Sequence, residues 1–123
     1  MKVLEEIIKV ERAAWEHTDG ILRVAATLSA RRDSKVYAAH FPGKPITPGV
    51  CMIGAVVELL SQAAGQALSL VKVNNIKDLS MMTPDDIDGA TLAATLDGNT
   101  ATATYTNGGT VYAKMKLTLN TKH

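Results

Sequence analysis

The chain reads as an α+β domain in which a curved antiparallel sheet wraps one long central helix. Two observations carry this. Residues 49–70 contain no proline and put apolar side chains on more than one face, the pattern of a helix buried on most sides. On either side stand short runs of alternating character, each closed by a turn signal, in the order hairpin, helix, then about four strands. A sheet with one apolar face must bury it against another layer, and the helix is the available layer.

The elements follow in order. Residues 1–8 open with a short helical turn, since Leu4, Ile7 and Ile8 fall at helical spacing. Residues 8–15 and 21–28 mix apolar and polar positions as strands do, and Thr18-Asp19-Gly20 between them supplies hairpin chemistry. A loop around Arg31 to Ser34 leads to a Pro/Gly-rich segment and then to the helix. Strands are expected over 74–81, 91–96, 100–106 and 110–119. The turns between them are Thr83-Pro84-Asp85-Asp86, Asp97-Gly98-Asn99 and Asn107-Gly108-Gly109. No repeat or linker divides residues 1–123, so a single domain is expected.

Composition narrows the function classes. The 123 residues are 46% hydrophobic, enough to build a core without metal or disulfide staples. With 13 basic and 12 acidic residues, a net charge of +1 and no basic cluster beyond Arg31-Arg32, no nucleic-acid or membrane surface is expected. The longest apolar stretches are broken by Gly54 and Glu58, well short of the ~20 residues a membrane span requires. A single cysteine, Cys51, cannot pair within the chain, and the acidic start Met-Lys-Val-Leu-Glu-Glu does not read as a secretory leader, so a reducing cytoplasm is expected. Cys51, flanked by Val50 and Met52, reads as a buried inert thiol. His17 beside a turn and the final His123 read as solvated, and no Cys/His cluster has metal-ligand spacing.

Chemistry concentrates in His40-Phe41-Pro42-Gly43-Lys44-Pro45-Ile46-Thr47-Pro48-Gly49-Val50. Its prolines and glycines make an extended, rigid loop, because proline removes backbone donors and restricts its predecessor. The loop runs straight into the helix at Pro48 and Gly49, where the first N–H groups have no intrahelical partner. Such donors, at Gly49 and Val50, suit a carbonyl oxygen that acquires negative charge. His40 at the far end of the loop can take or give a proton near neutral pH. A base beside an oxyanion hole implies proton abstraction next to a thioester carbonyl, and elimination of a β-hydroxyl would also need a general acid.

The motif His-Phe-Pro-Gly-x-Pro-(Ile/Val)-x-Pro-Gly-Val resembles the signature of the bacterial 3-hydroxyacyl-acyl-carrier-protein dehydratases, which have the hot-dog fold. Ser61-Gln62-Ala63-Ala64-Gly65 in the helix adds a looser similarity. The resemblance implies a cofactor-independent, metal-free dehydratase acting on acyl carrier protein, as a homodimer or an assembly of dimers. It implies His40 as the base and the Gly49 and Val50 amides as the thioester-polarising donors, with Phe41, Pro48 and Gly54 along the substrate channel. The catalytic pair would come from opposite subunits.

Where the family carries its helix carboxylate, this chain has Gly54. Glu58 lies one turn on, about 400° around and about 6 Å along the axis, so it shares nearly the same face. Helical side chains lean toward the N-terminus, and Gly54 leaves room for Glu58 to reach back. Glu58, the only acid between His40 and Asp78, is therefore expected to replace the missing carboxylate. Two other readings keep the fold: an acyl-thioester-binding protein without turnover, which Gly54 supports, and a thioesterase, which needs a group to activate water. The small residues Gly54, Ala55, Ala63, Ala64, Gly65 and Ala67 are expected to let strands pack closely on the helix.

Overall fold

The structure, a computed structural model, describes residues 2–39 and 43–121. His40 and Phe41 of the motif, with Met1, Pro42, Lys122 and His123, lie outside the described residues.

Helix α1 (Val3–Glu6) precedes the hairpin of β1 (Ile8–Thr18) and β2 (Ile21–Ala30). Asp19 and Gly20 both have positive φ, which matches the hairpin to the right-handed twist of its strands. A short α2 (Lys35–Ala39) leads to the motif loop, and the central helix α3 (Gly49–Ala64) follows. Then come β3 (Leu68–Lys77), a one-turn α4 (Pro84–Ile87), and the meander β4 (Thr91–Asp97), β5 (Thr100–Asn107) and β6 (Thr110–Thr121). The six strands form one antiparallel sheet in the order β1-β2-β4-β5-β6-β3, so β3 crosses over to an edge.

The register explains the core. Leu22 stands opposite Leu96, Val24 opposite Ala94 and Ala26 opposite Leu92, so alternate positions of β2 and β4 point the same way. Ala101, Ala103 and Tyr105 of β5 and Ala113, Met115 and Leu117 of β6 complete this face, and all are buried. The alanines keep the sheet surface low, and α3 settles onto it through Met52, Ala55, Val56, Leu59 and Leu60. Tyr105 crosses this interface and donates its hydroxyl to the Met52 carbonyl at 2.6 Å.

Four elements differ from the sequence expectation. The helix ends at Ala64 rather than near Leu70, because Gly65 takes the left-handed conformation (φ 69°) and the Gln66 N–H turns back to the Ser61 carbonyl. The Ser61 hydroxyl then accepts the Leu68 N–H, which launches β3 early, and that strand covers Leu68–Lys77 instead of 74–81. Helix α2 was not foreseen. The expected turn at Thr83 is a capping box: the Thr83 hydroxyl accepts the Asp86 N–H, Asp86 accepts the Thr83 N–H, and Pro84 opens the helix α4. No helix among the described residues is long and apolar enough to cross a membrane.

Candidate active site

The motif loop is tied down just before α3. Thr47 pairs with Met82 as an isolated antiparallel bridge, its N–H donating to the Met82 carbonyl at 2.7 Å. Its hydroxyl meets the Tyr37 hydroxyl of α2 at 2.9 Å in a buried setting. Pro48 is the N-cap in extended conformation, and its carbonyl accepts the N–H groups of Cys51 and Met52. The preceding N–H groups, those of Gly49 and Val50, have no acceptor among the described residues. Unpaired donors at a helix start suit an oxygen that carries negative charge.

An apolar side chain packs at the helix start. A Cβ on Gly49 would lie 3.3 Å from Leu79 Cδ2, so the glycine lets the segment after β3 approach the helix start. Val50 projects outward with 75% of its surface exposed, and Leu79 and Met81 are exposed as well. Met82, by contrast, is fully buried.

Glu58 reaches back along α3 as its spacing predicts, with Oε2 3.9 Å from where a Cβ on Gly54 would sit. Its carboxylate meets the first turn of α1: the Val3 N–H donates to Oε2 at 2.8 Å and the Leu4 N–H to Oε1 at 2.9 Å. The space beside Gly54 is filled by Val3, whose Cγ2 lies 3.0 Å from the position of that missing Cβ, so the room expected there is occupied by the N-terminal segment. Arg31 completes the arrangement by donating to the Leu4 carbonyl at 2.7 Å. A four-residue helix has little stability of its own; here an anion holds its donors and a cation one of its carbonyls. Sequence periodicity around residue 58 carried no sign of this partner.

Cys51 is buried, and burial, followed by the nearby Glu58 charge, pushes its pKa up, so its environment keeps it a thiol. His17 is exposed. Among the described residues no cluster of His, Cys, Asp and Glu could hold a metal ion. A surface depression of about 530 Å³ lies on the outer sheet face, where Glu16 and Arg23 stand among Ala25, Ala93, Thr95 and Thr102; none of the candidate site residues lines it.

A family model described as ApeI-like, ApeI dehydratase, matches residues 15–116 and so takes in the motif, α3 and most of the sheet. The chain belongs to the ApeI-like dehydratase family. It is also similar to the 3-hydroxyacyl-(acyl-carrier-protein) dehydratase FabZ of Clostridium acetobutylicum, 36% identical over 62 residues. That alignment spans 45% of this chain and 44% of the relative. Among solved structures, an uncharacterised protein from Erwinia carotovora subsp. atroseptica superposes with a TM-score of 0.71 at 22% identity, covering 94% of this chain and 97% of that one. The dehydratase heterocomplex ApeI:P from Xenorhabdus doucetiae gives 0.65 at 18% identity, covering 89% of this chain and 95% of that one. The ApeI-like chain thus has the α+β hot-dog fold, with the sheet curved around α3.

Proposed function

We propose that this ApeI-like chain dehydrates a 3-hydroxyacyl thioester, carried on acyl carrier protein, to the trans-2-enoyl thioester and water in fatty-acid or related acyl-chain synthesis. The observation that carries the reading is the pair of N–H groups at Gly49 and Val50, without an acceptor among the described residues, at the start of a helix whose approach is held by Thr47 and Pro48. The thioester carbonyl accepts from these donors. His40 removes a proton from the α carbon, and the resulting negative charge on the carbonyl oxygen is held by the two amides. As the Cα–Cβ double bond forms, the C–O bond to the β-hydroxyl breaks, and a general acid protonates the departing oxygen to give water. Of the channel residues the resemblance implies, Pro48 stands at the helix start, and an acyl chain reaches Gly54 only if the N-terminal segment moves, because Val3 fills the space beside it. No step calls for a cofactor.

Glu58 is the acid that α3 itself offers. It acts in this role if the N-terminal segment releases it from the Val3 and Leu4 N–H groups. The double engagement of Glu58 favours a second reading, in which the acid comes from a partner hot-dog chain. The Xenorhabdus neighbour is a heterocomplex, and the same logic applied here makes this chain the donor of the base and the oxyanion hole. Either arrangement joins two chains, as a homodimer, an assembly of dimers or a heteromer. The free edge of β3, with Val71 60% exposed beside the partly exposed Leu70 and Val73, supports such pairing. The free thiol of Cys51 suits a reducing cytoplasm.

The test is to incubate the purified chain with 3-hydroxyacyl and saturated acyl thioesters on carrier protein, following enoyl formation and free thiol separately. Enoyl product that disappears in His40→Ala supports dehydration, and its loss as well in a Glu58→Gln variant that remains folded assigns the acid to Glu58. Thiol release instead would make the protein a thioesterase. Binding without either product from the chain alone would favour the acid-supplying partner or a non-catalytic acyl-binding role.

A further inference from the structure

We propose that Tyr37 and Thr47 form a clamp that positions the Gly49 and Val50 amides, and that the pair governs turnover more than stability. The proposal rests on the dehydratase reading above. Tyr37 lies on α2, three residues before His40, and Thr47 lies two residues before Gly49, so their contact closes the neck of the motif loop. The two hydroxyls meet at 2.9 Å. Tyr37 is almost wholly buried, and Thr47 is the one buried polar side chain outside the aromatic set among the described residues. Burial pushes the Tyr37 pKa up, so its hydroxyl stays protonated and able to donate.

Thr47 is gripped twice, by side chain to Tyr37 and by backbone to Met82. Pro48 follows with its ring restricting φ, and Gly49 begins the helix. The chain therefore has little freedom between the clamp and the two donors. A buried hydroxyl pair is a poor device for stability alone, since replacing both partners by apolar groups of similar shape is close to neutral. It is a good device for alignment: two hydroxyls bond in a narrow range of distance and angle, whereas Phe against Val tolerates sliding. Oxyanion donors need this precision, because a displacement of about 1 Å at a reacting centre can lower turnover by about 100-fold.

The experiment compares wild type, Tyr37→Phe, the double variant Tyr37→Phe/Thr47→Val, and Thr47→Ser, which keeps the hydroxyl. The clamp predicts that kcat falls about tenfold or more in the first two variants with KM within about twofold. It also predicts that the double variant keeps the wild-type melting temperature and that Thr47→Ser retains turnover. Independently of activity, the backbone amide resonances of Gly49 and Val50 shift in the first two variants, while that of Gly65 at the other end of α3 does not. Unchanged kcat in the double variant, losses that simply follow melting temperature, or unmoved Gly49 and Val50 resonances would each overturn the clamp. Failure of the wild type to form enoyl product both alone and with an acid-supplying hot-dog partner would count against the dehydratase reading, and the resonance comparison would still decide the clamp.

Discussion

The Glu58 carboxylate accepts the Val3 N–H at 2.8 Å across 55 residues of chain, and its second oxygen takes the Leu4 N–H at 2.9 Å. The acid that spacing nominates for catalysis is therefore also the anchor of the N-terminal helix. Glu58→Gln leaves one carbonyl oxygen for two donors and removes the charge at the helix start. Stability should fall by about 1–3 kcal/mol, measured by urea unfolding. A variant as stable as wild type would mean that the anchor contributes nothing.

Gly54 and Val3 should behave as a coupled pair. Alanine is favoured over glycine inside a helix by about 1 kcal/mol. A Cβ at 54, however, would press on Val3 Cγ2 at 3.0 Å, and overpacking of this kind costs about 1–3 kcal/mol. Gly54→Ala is expected to destabilise the wild type but to stabilise the Val3→Ala background. A double-mutant cycle on unfolding free energies reads the difference, and additive effects would show that the two positions do not press on one another.

All three tyrosines are held above the usual phenol pKa: Tyr37 and Tyr105 chiefly by burial, Tyr112 chiefly by its hydrogen bond to Asp86. A raised folded-state pKa gives stability that is fully present below the unfolded value, about 10, and is lost as pH rises through the folded values. Alkaline titration followed by tyrosine absorbance should show ionisation delayed past the free-phenol range and accompanied by unfolding. Tyr105→Phe should lower stability at neutral pH by about 1 kcal/mol through the lost bond to the Met52 carbonyl, while softening the alkaline limb.

Asp88 works in the opposite direction. The Ala30 N–H at 2.7 Å, and then Arg32, hold its carboxyl below the usual carboxylate range. A lowered folded-state pKa gives stability that is present above the unfolded value, about 3.9, and is lost as pH falls through the folded value. Asp88→Asn keeps an acceptor for Ala30 but loses the charge, so its stability should decline less steeply on acidification. Because the Asp88–Arg32 pair is largely solvent-exposed, the effect at neutral pH should be small and weakened further by salt.

The hairpin at Asp19-Gly20, the meander with turns at Asp97-Gly98-Asn99 and Asn107-Gly108-Gly109, and the start of α3 after Pro48 were all legible from residue order. Each is a local matter of period, positive φ or a missing donor. The end of α3 was less so, because an uninterrupted apolar run hid the stop at Gly65, which depends on one left-handed residue and on Ser61 capturing Leu68. Helix α2 is too short to leave a periodic trace, yet it carries Tyr37 to Thr47.

By itself, the sequence determined the α+β class, the order of the central helix and the strands, and the motif whose last residues open α3. These depend on neighbours within a few positions. Only the tertiary structure decided that β3 takes the sheet edge beyond β6, that Tyr37 meets Thr47, and that Val3 packs beside Gly54 while the Val3 and Leu4 N–H groups take the Glu58 carboxylate. The physical reason is that helical spacing sets the direction in which Glu58 points, whereas its partner is whatever the folded chain delivers there.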